Sequence, residues 1–155
     1  MRRLAAVAIA MMAMAVALAA AGAPTDEESD ELQLEPDYAA GRTAIEARDW
    51  PAAIRLLLSA ALRDTRNADI QNYLGFAYRN SGELALAFNH YNRALLLNPR
   101  HRGAHEYLGE AYLMIDSPGK AEEHLAALRK ICLLPCDETG RLEKKLAEHR
   151  ARLKR

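Results

Sequence analysis

Cysteine is scarce in this chain: Cys132 and Cys136, within LRKICLLPCDETG, are the only two among 155 residues. Their CxxxC spacing is not the CxxC of thiol oxidoreductases, and no alternation of strands and helices surrounds it. Net charge is missing too. Lys and Arg number 21 and Asp and Glu 21, so no overall field recruits nucleic acid, and no basic stripe interleaved with aromatics runs along the chain. There is no Gly-rich phosphate loop. Ser81 and Ser117 stand at turns and caps without a His–Asp partner pattern. No run alternates apolar and polar with a period of two, so strand-built folds are excluded. Carboxylates sit singly on helical faces or gather in one acidic stretch. His101 and His105, four apart, read as solvated side chains and not as a metal pair. The sequence therefore names no catalytic residue, no metal site and no cofactor. It points away from an enzyme.

The N-terminus reads differently from the rest. MRRLAAVAIAMMAMAVALAAAGAP places Arg2 and Arg3 before an uncharged apolar run and ends on small residues, the layout of a secretory signal. Ala19 and Ala21 supply the small–x–small pattern, so residues 1–21 are expected to be removed and the protein exported, to the periplasm. No cysteine follows the run, which excludes lipid attachment there. Leu4 to Ala23 is long enough to cross a bilayer, so a retained inner-membrane anchor is the alternative. Residues 22–33 form an acidic, flexible leader. The wider segment PTDEESDELQLEPD holds seven carboxylates and no base.

From residue 34 the pattern is helical throughout, and it repeats. Tyr73 to Pro99 aligns with Tyr107 to Pro135: Leu74-Gly75 on Leu108-Gly109, Tyr78 on Tyr112, Ala87 on Ala121, Tyr91 on Leu125 and Ala94 on Leu128, each 34 residues apart. The same step upstream reaches Ala40-Gly41, Ala44, Ala53, Leu57 and Ala60. Three units follow: 34–67, 68–101 and 102–135. Gly75 and Ala87 are small where two antiparallel helices must approach. Asn80-Ser81-Gly82 stops one helix, Asn98-Pro99 stops the next, and Trp50-Pro51 and Ser117-Pro118 open others. A repeat that cannot bury its apolar face alone stacks on its neighbours, and the last one needs a cap. Residues 136–155, with Leu142, Leu146 and Leu153 at helical spacing among charges, are expected to be that capping helix.

These residues resemble the tetratricopeptide repeat family. The middle unit carries Leu74, Gly75, Tyr78, Ala87, Tyr91, Ala94 and Pro99 at the family's signature places. The resemblance implies an all-α fold, an α-solenoid of three helix-turn-helix units plus the C-terminal capping helix. It also implies a non-enzymatic scaffold or adaptor that binds a protein or peptide partner in a concave groove, lined by the first helix of each unit. Carried over, the groove residues are Glu35, Tyr38, Arg42, Ile45 and Glu46 in the first unit. The second offers Asp69, Asn72, Phe76, Arg79 and Asn80, and the third Glu106, Glu110, Leu113 and Met114. Arg42, Asn72, Phe76, Arg79, Asn80, Glu106 and Glu110 are the expected partner-binding set. Helical spacing alone places Asn72, Phe76, Arg79 and Asn80 on one face, opposite Leu74, Ala77 and Tyr78. The pattern by which chaperone-binding members clamp a peptide's terminal carboxylate is absent: Tyr38, Arg42, Tyr73, Gly103 and Tyr107 stand there.

In an exported protein, thiols oxidise. Cys132 and Cys136 flank the break at Pro135, between the last repeat helix and the capping helix, so a short staple that sets the cap's angle is the first reading. A metal or thiol-redox accessory role for the same two cysteines is the alternative.

Overall fold

The computed structural model describes residues 36–154, and the expected signal segment, the leader and Glu35 lie outside them. Seven helices follow one another: α1 (Pro36–Glu46), α2 (Trp50–Arg63), α3 (Ala68–Asn80), α4 (Leu84–Leu97), α5 (Arg102–Met114), α6 (Pro118–Ile131) and α7 (Asp137–Arg152). No strand occurs among the described residues. Local chemistry explains the boundaries. Asp49 accepts a hydrogen bond from Ala52 N–H at the start of α2, and Asn67 accepts from Asp69 and Ile70 N–H at the start of α3. Each satisfies donors that the first turn leaves free. Pro51 and Pro118 sit in first turns, where the missing N–H costs nothing.

The turn inside each unit repeats in backbone although not in residue. Arg48, Gly82 and Asp116 are 34 apart, and all have positive φ, at 57°, 90° and 55°. Only the middle unit uses glycine, the residue that visits this region without strain. The other two units hold an L-residue there at a cost.

Paired helices pack through small residues. A Cβ on Gly41 would fall 2.8 Å from Leu57 of α2, and one on Gly75 would fall 2.5 Å from the ring of Tyr91 on α4. Gly109 breaks the pattern. Its nearest neighbour is Leu142 of α7, at 2.7 Å from the same constructed position, and not the α6 residue that the repeat would place there. The capping helix thus docks straight onto α5. Leu142 and Leu146 are buried in a cluster with Leu113, Ala121, Leu125 and Leu128. Leu153 does not join them. It lies beyond the end of α7 and is exposed, and His149 takes the third inward position instead.

The helices form two layers. α1, α3 and α5 touch in sequence, whereas α2, α4 and α6 do not touch one another, and α6 also packs against α7. The inner layer therefore lines a concave face.

Candidate functional site

Aromatic rings and arginines alternate along the inner helices. Arg42 of α1 lies over two tyrosines, its guanidinium 5.9 Å from the ring centre of Tyr38 and 5.6 Å from that of Tyr73. Phe76 of α3 packs between Trp50 at the head of α2, 6.1 Å away, and Tyr107 of α5, 4.9 Å away. Arg79 covers the far side, 5.4 Å from Phe76 and 5.3 Å from Tyr107, and its guanidinium also donates to Glu110. Guanidinium over a ring face is attractive and holds a long side chain in one place. Trp50 and Tyr107 were not among the expected groove residues. The signal that could have found them is their size and placement beside Phe76's turn.

Four expected groove residues are buried and not available to a partner: Tyr38, Leu113, Asn72 at 5% exposure and Glu106 at 1%. Glu106 is closed over by the capping helix: Arg141 of α7 donates to both its oxygens, at 2.5 and 2.8 Å. Asn72 lies against the head of α5, its amide nitrogen 3.2 Å from where a Cβ on Gly103 would fall, and α7 covers Glu106. Burial pushes the Glu106 carboxyl above the usual range, and Arg141 opposes that shift. Arg79 and Glu110 are paired with each other and leave only their edges to solvent. Asn80 is exposed, with its amide turned back to the Phe76 carbonyl at 2.8 Å. Among the seven expected residues, Arg42, Phe76, Arg79, Asn80 and Glu110 come together on the concave face; Asn72 and Glu106 lie beneath it.

The capping helix extends the face. A cleft of about 760 Å³ lies between α3, α5 and α7, lined by Arg79, Glu110, Leu113, Met114, Lys145 and Arg152 among others. Met114, 60% exposed, is its apolar floor. At the opposite end, the His101 hydrogen bond holds the Asp69 carboxyl below its ordinary range. Burial lifts the Tyr38 phenol to about 12, so it stays protonated at neutral pH.

His101 and His105 do not converge. His101 Nδ1 accepts from Ala104 N–H at 3.0 Å and its Nε2 lies 2.9 Å from Asp69 Oδ1, while His105 turns towards α6. Among the described residues no three His, Cys, Asp or Glu side chains converge as metal ligands would. The sulfurs of Cys132 and Cys136 are 2.11 Å apart, a disulfide that joins the residue capping the end of α6 to the residue capping the head of α7. A disulfide sulfur is not a thiolate ligand. The loop it closes presents Leu133 and Leu134 to solvent.

Residues 68–101 match the family model described as tetratricopeptide repeat. No curated protein matches the chain significantly in sequence. Solved structures do match in fold. The type III secretion translocator chaperone SycD of Yersinia enterocolitica superposes with a TM-score of 0.69 at 15% identity, covering 79% of this chain and 86% of that one. PcrH, solved in complex with the chaperone-binding region of PopD, gives 0.68 at 21% identity over 79% and 95%. The first repeat domain of Spaghetti (RPAP3), bound to an HSP90 peptide, gives 0.66 at 18% identity over 79% and 96%. At such identities the likeness is one of fold.

Proposed function

We propose that this chain, with a tetratricopeptide repeat matched at residues 68–101 and the fold of such repeat proteins, is a non-enzymatic scaffold which holds an extended or helical segment of a protein partner along its concave face. The observation that carries this reading is the partly buried row of Arg42, Phe76 and Arg79, held in place by Tyr38, Tyr73, Trp50 and Tyr107 and leading to the exposed Met114 in the cleft. A rigid aromatic and arginine surface is the type that supplies the strongest single contacts in protein interfaces. Two fold neighbours were solved with a peptide or chaperone-binding segment in place, which supports the same use here. Recognition of a terminal carboxylate by the chaperone clamp is not part of the proposal, because the residues for it are absent. The partner this surface fits carries an apolar anchor for Phe76 and Met114, with carboxylates for the arginines.

The proposal places the protein in the periplasm. The basic, apolar and small-residue order of residues 1–21 supports this, and so does a disulfide, which persists in an oxidising compartment. A photo-crosslinking amino acid tests the binding face in the cell. Crosslinks from Arg42, Asn80 and Met114, but not from Asn92 on α4 or Ala126 on α6, are expected. The reverse pattern moves the binding surface to the outer layer.

A further inference from the structure

Units two and three share a polar seam between their paired helices. In unit two, His90 of α4 stacks on Tyr78 of α3, with ring centres 5.2 Å apart and planes 9° from parallel. Its Nδ1 lies 2.9 Å from Gln71 Oε1. In unit three, His124 of α6 stacks on Tyr112 of α5 at 5.6 Å and 18°, and its Nδ1 lies 3.0 Å from His105 Nδ1. The positions correspond pairwise across the repeat, 71 with 105, 78 with 112 and 90 with 124. One change separates the seams: histidine stands where unit two has glutamine.

That change makes the third seam titratable on both sides. The amide oxygen of Gln71 accepts at every pH. His105 accepts only while its Nδ1 is bare. Its Nε2 lies 3.1 Å from the Pro99 carbonyl, which can only accept, so in the neutral ring the hydrogen is on Nε2 and Nδ1 is free. His124 must then supply the shared hydrogen from Nδ1, as His90 does to Gln71, and its Nε2 is the bare nitrogen. A first proton leaves the contact intact on either ring: on His124 Nε2 directly, or on His105 Nδ1 with His124 accepting from its other tautomer. A second proton puts a hydrogen on both facing Nδ1 atoms. Two N–H groups and two cations then face each other at hydrogen-bond distance, and the contact is lost.

The groups around the pair are few. His101 is one turn away on α5, Tyr112 lies against the His124 ring, and Lys120 and Glu123 are on α6. Lys120 and Glu123 pair with each other at 2.9 Å, so neither is committed to the imidazoles.

We propose that the His105–His124 contact is an acid-opened latch. It ties α5 to α6 while the pair carries at most one proton, and the second proton parts them and loosens the unit that presents Glu110 and Met114 to the groove. The latch rests on the contact between α5 and α6 and stands whether or not the groove binds a partner. Burial lowers the affinity of both rings for protons, and it is the main cause of a fall to about 4 for His124, with His105 adding to it. A histidine whose folded pKa is depressed is fully stabilising above its unfolded value of about 6.5. That contribution is lost as pH falls below 6.5 towards the folded value.

Urea unfolding of the intact protein and of His105→Gln, read by helical circular dichroism between pH 7.5 and 5.5, tests the latch. The variant installs unit two's pair in unit three, and the carboxylates are the same in both proteins. Below pH 6.5 the unfolding constant of the parent should climb more steeply than that of the variant. The difference should approach tenfold per pH unit, because one depressed imidazole has been removed. Nitrogen-15 spectra of the parent at pH 7.5 should show His105 with its hydrogen on Nε2 and His124 on Nδ1. Equal steepness in the two proteins overturns the proposal. So does titration of both rings near the ordinary value, and that reading of the parent decides the matter alone if the variant does not fold. Loss of groove crosslinks with an unchanged latch titration would count against the binding proposal only.

Discussion

Truncating Arg141 should strand a buried charge. Glu106 sits at 1% exposure, and among the described residues the cation that meets its carboxylate is Arg141 of the capping helix, through two hydrogen bonds. Breaking one side of such a pair costs about 3–5 kcal/mol, because the remaining charge keeps its desolvation penalty without compensation. Arg141 itself is about half exposed, so water partly refills its place, and Arg141→Ala should cost about 3 kcal/mol, near the lower end of that range. The pH response identifies the mechanism. Without Arg141, the folded pKa of Glu106 moves further above its unfolded value of about 4.3. A group whose folded pKa is raised is stabilising when protonated and loses that contribution as pH rises through the folded value. The variant should therefore recover stability between pH 7 and 5, after subtraction of the parent's own pH dependence. Glu106→Gln in the same background should remove both the loss and the recovery. Urea melts across this pH range read all three outcomes. A cost below about 1 kcal/mol with no recovery would show that Glu106 is hydrated in the folded state and that α7 does not seal it.

Phe76→Ala should cost roughly 2 kcal/mol, about half the price of deleting a fully buried ring, because Trp50 and Tyr107 pack against it; thermal melts measure this beside crosslinking yield. Arg48→Gly should raise stability by up to about 1 kcal/mol, since relief of a left-handed L-residue slightly outweighs the added freedom of the unfolded chain. Replacing Cys132 and Cys136 by serine should cost about 2 kcal/mol, the loop-entropy value for so short a ring. Hydrogen exchange should rise at the head of α7 and not in α1–α4. Intact mass of the protein purified from its native cells should correspond to a chain starting near Gly22, and a mass that includes residues 1–21 with recovery in membranes would favour the retained anchor.

The repeat was legible because its physics is local. Gly41, Gly75 and Gly109 recur at the repeat spacing, as do Tyr78 and Tyr112, and each occupies a place where one helix must meet its partner closely. Helical spacing places Phe76 and Arg79 on one face of α3, whereas Arg42 was carried over from the resemblance to the repeat family. What spacing along one helix could not reveal were the contacts between helices. Glu106 looks like a surface carboxylate until Arg141, 35 residues on, closes over it. His105 invites pairing with His101 on its own helix, yet its partner is His124 across the seam. The signal was present in another form: His90 and His124 share the repeat spacing of Tyr78 and Tyr112, so two His–Tyr stacks could have been inferred from the alignment that revealed the units. Leu153 had the right period for the cap's core, but α7 ends before it.

The departure at Gly109 ties the cap to the groove. In the first two units the glycine of the inner helix receives a side chain from the outer helix of the same unit, and the inner face is left open. In the third unit it receives Leu142, so α7 lies against α5 and occupies part of the concave side itself. Two consequences follow from that single placement. The cap shortens the accessible groove by burying Glu106, and it builds the far wall of the cleft with Lys145 and Arg152. Stability of the cap and shape of the binding face are therefore one property in this protein. Any change that swings α7, whether loss of the Cys132–Cys136 bridge, loss of Arg141 or opening of the seam beneath it, should alter binding at Arg79 and Met114 more than at Arg42. Arg42 is held by Tyr38 and Tyr73, with the Asp69 charge nearby, two units away from the cap. Crosslinking yields from Arg42 and Met114 in the cysteine-free variant would separate the two ends. An equal loss at both would mean that the array responds as one body, and that the cap's placement does not act locally on the groove.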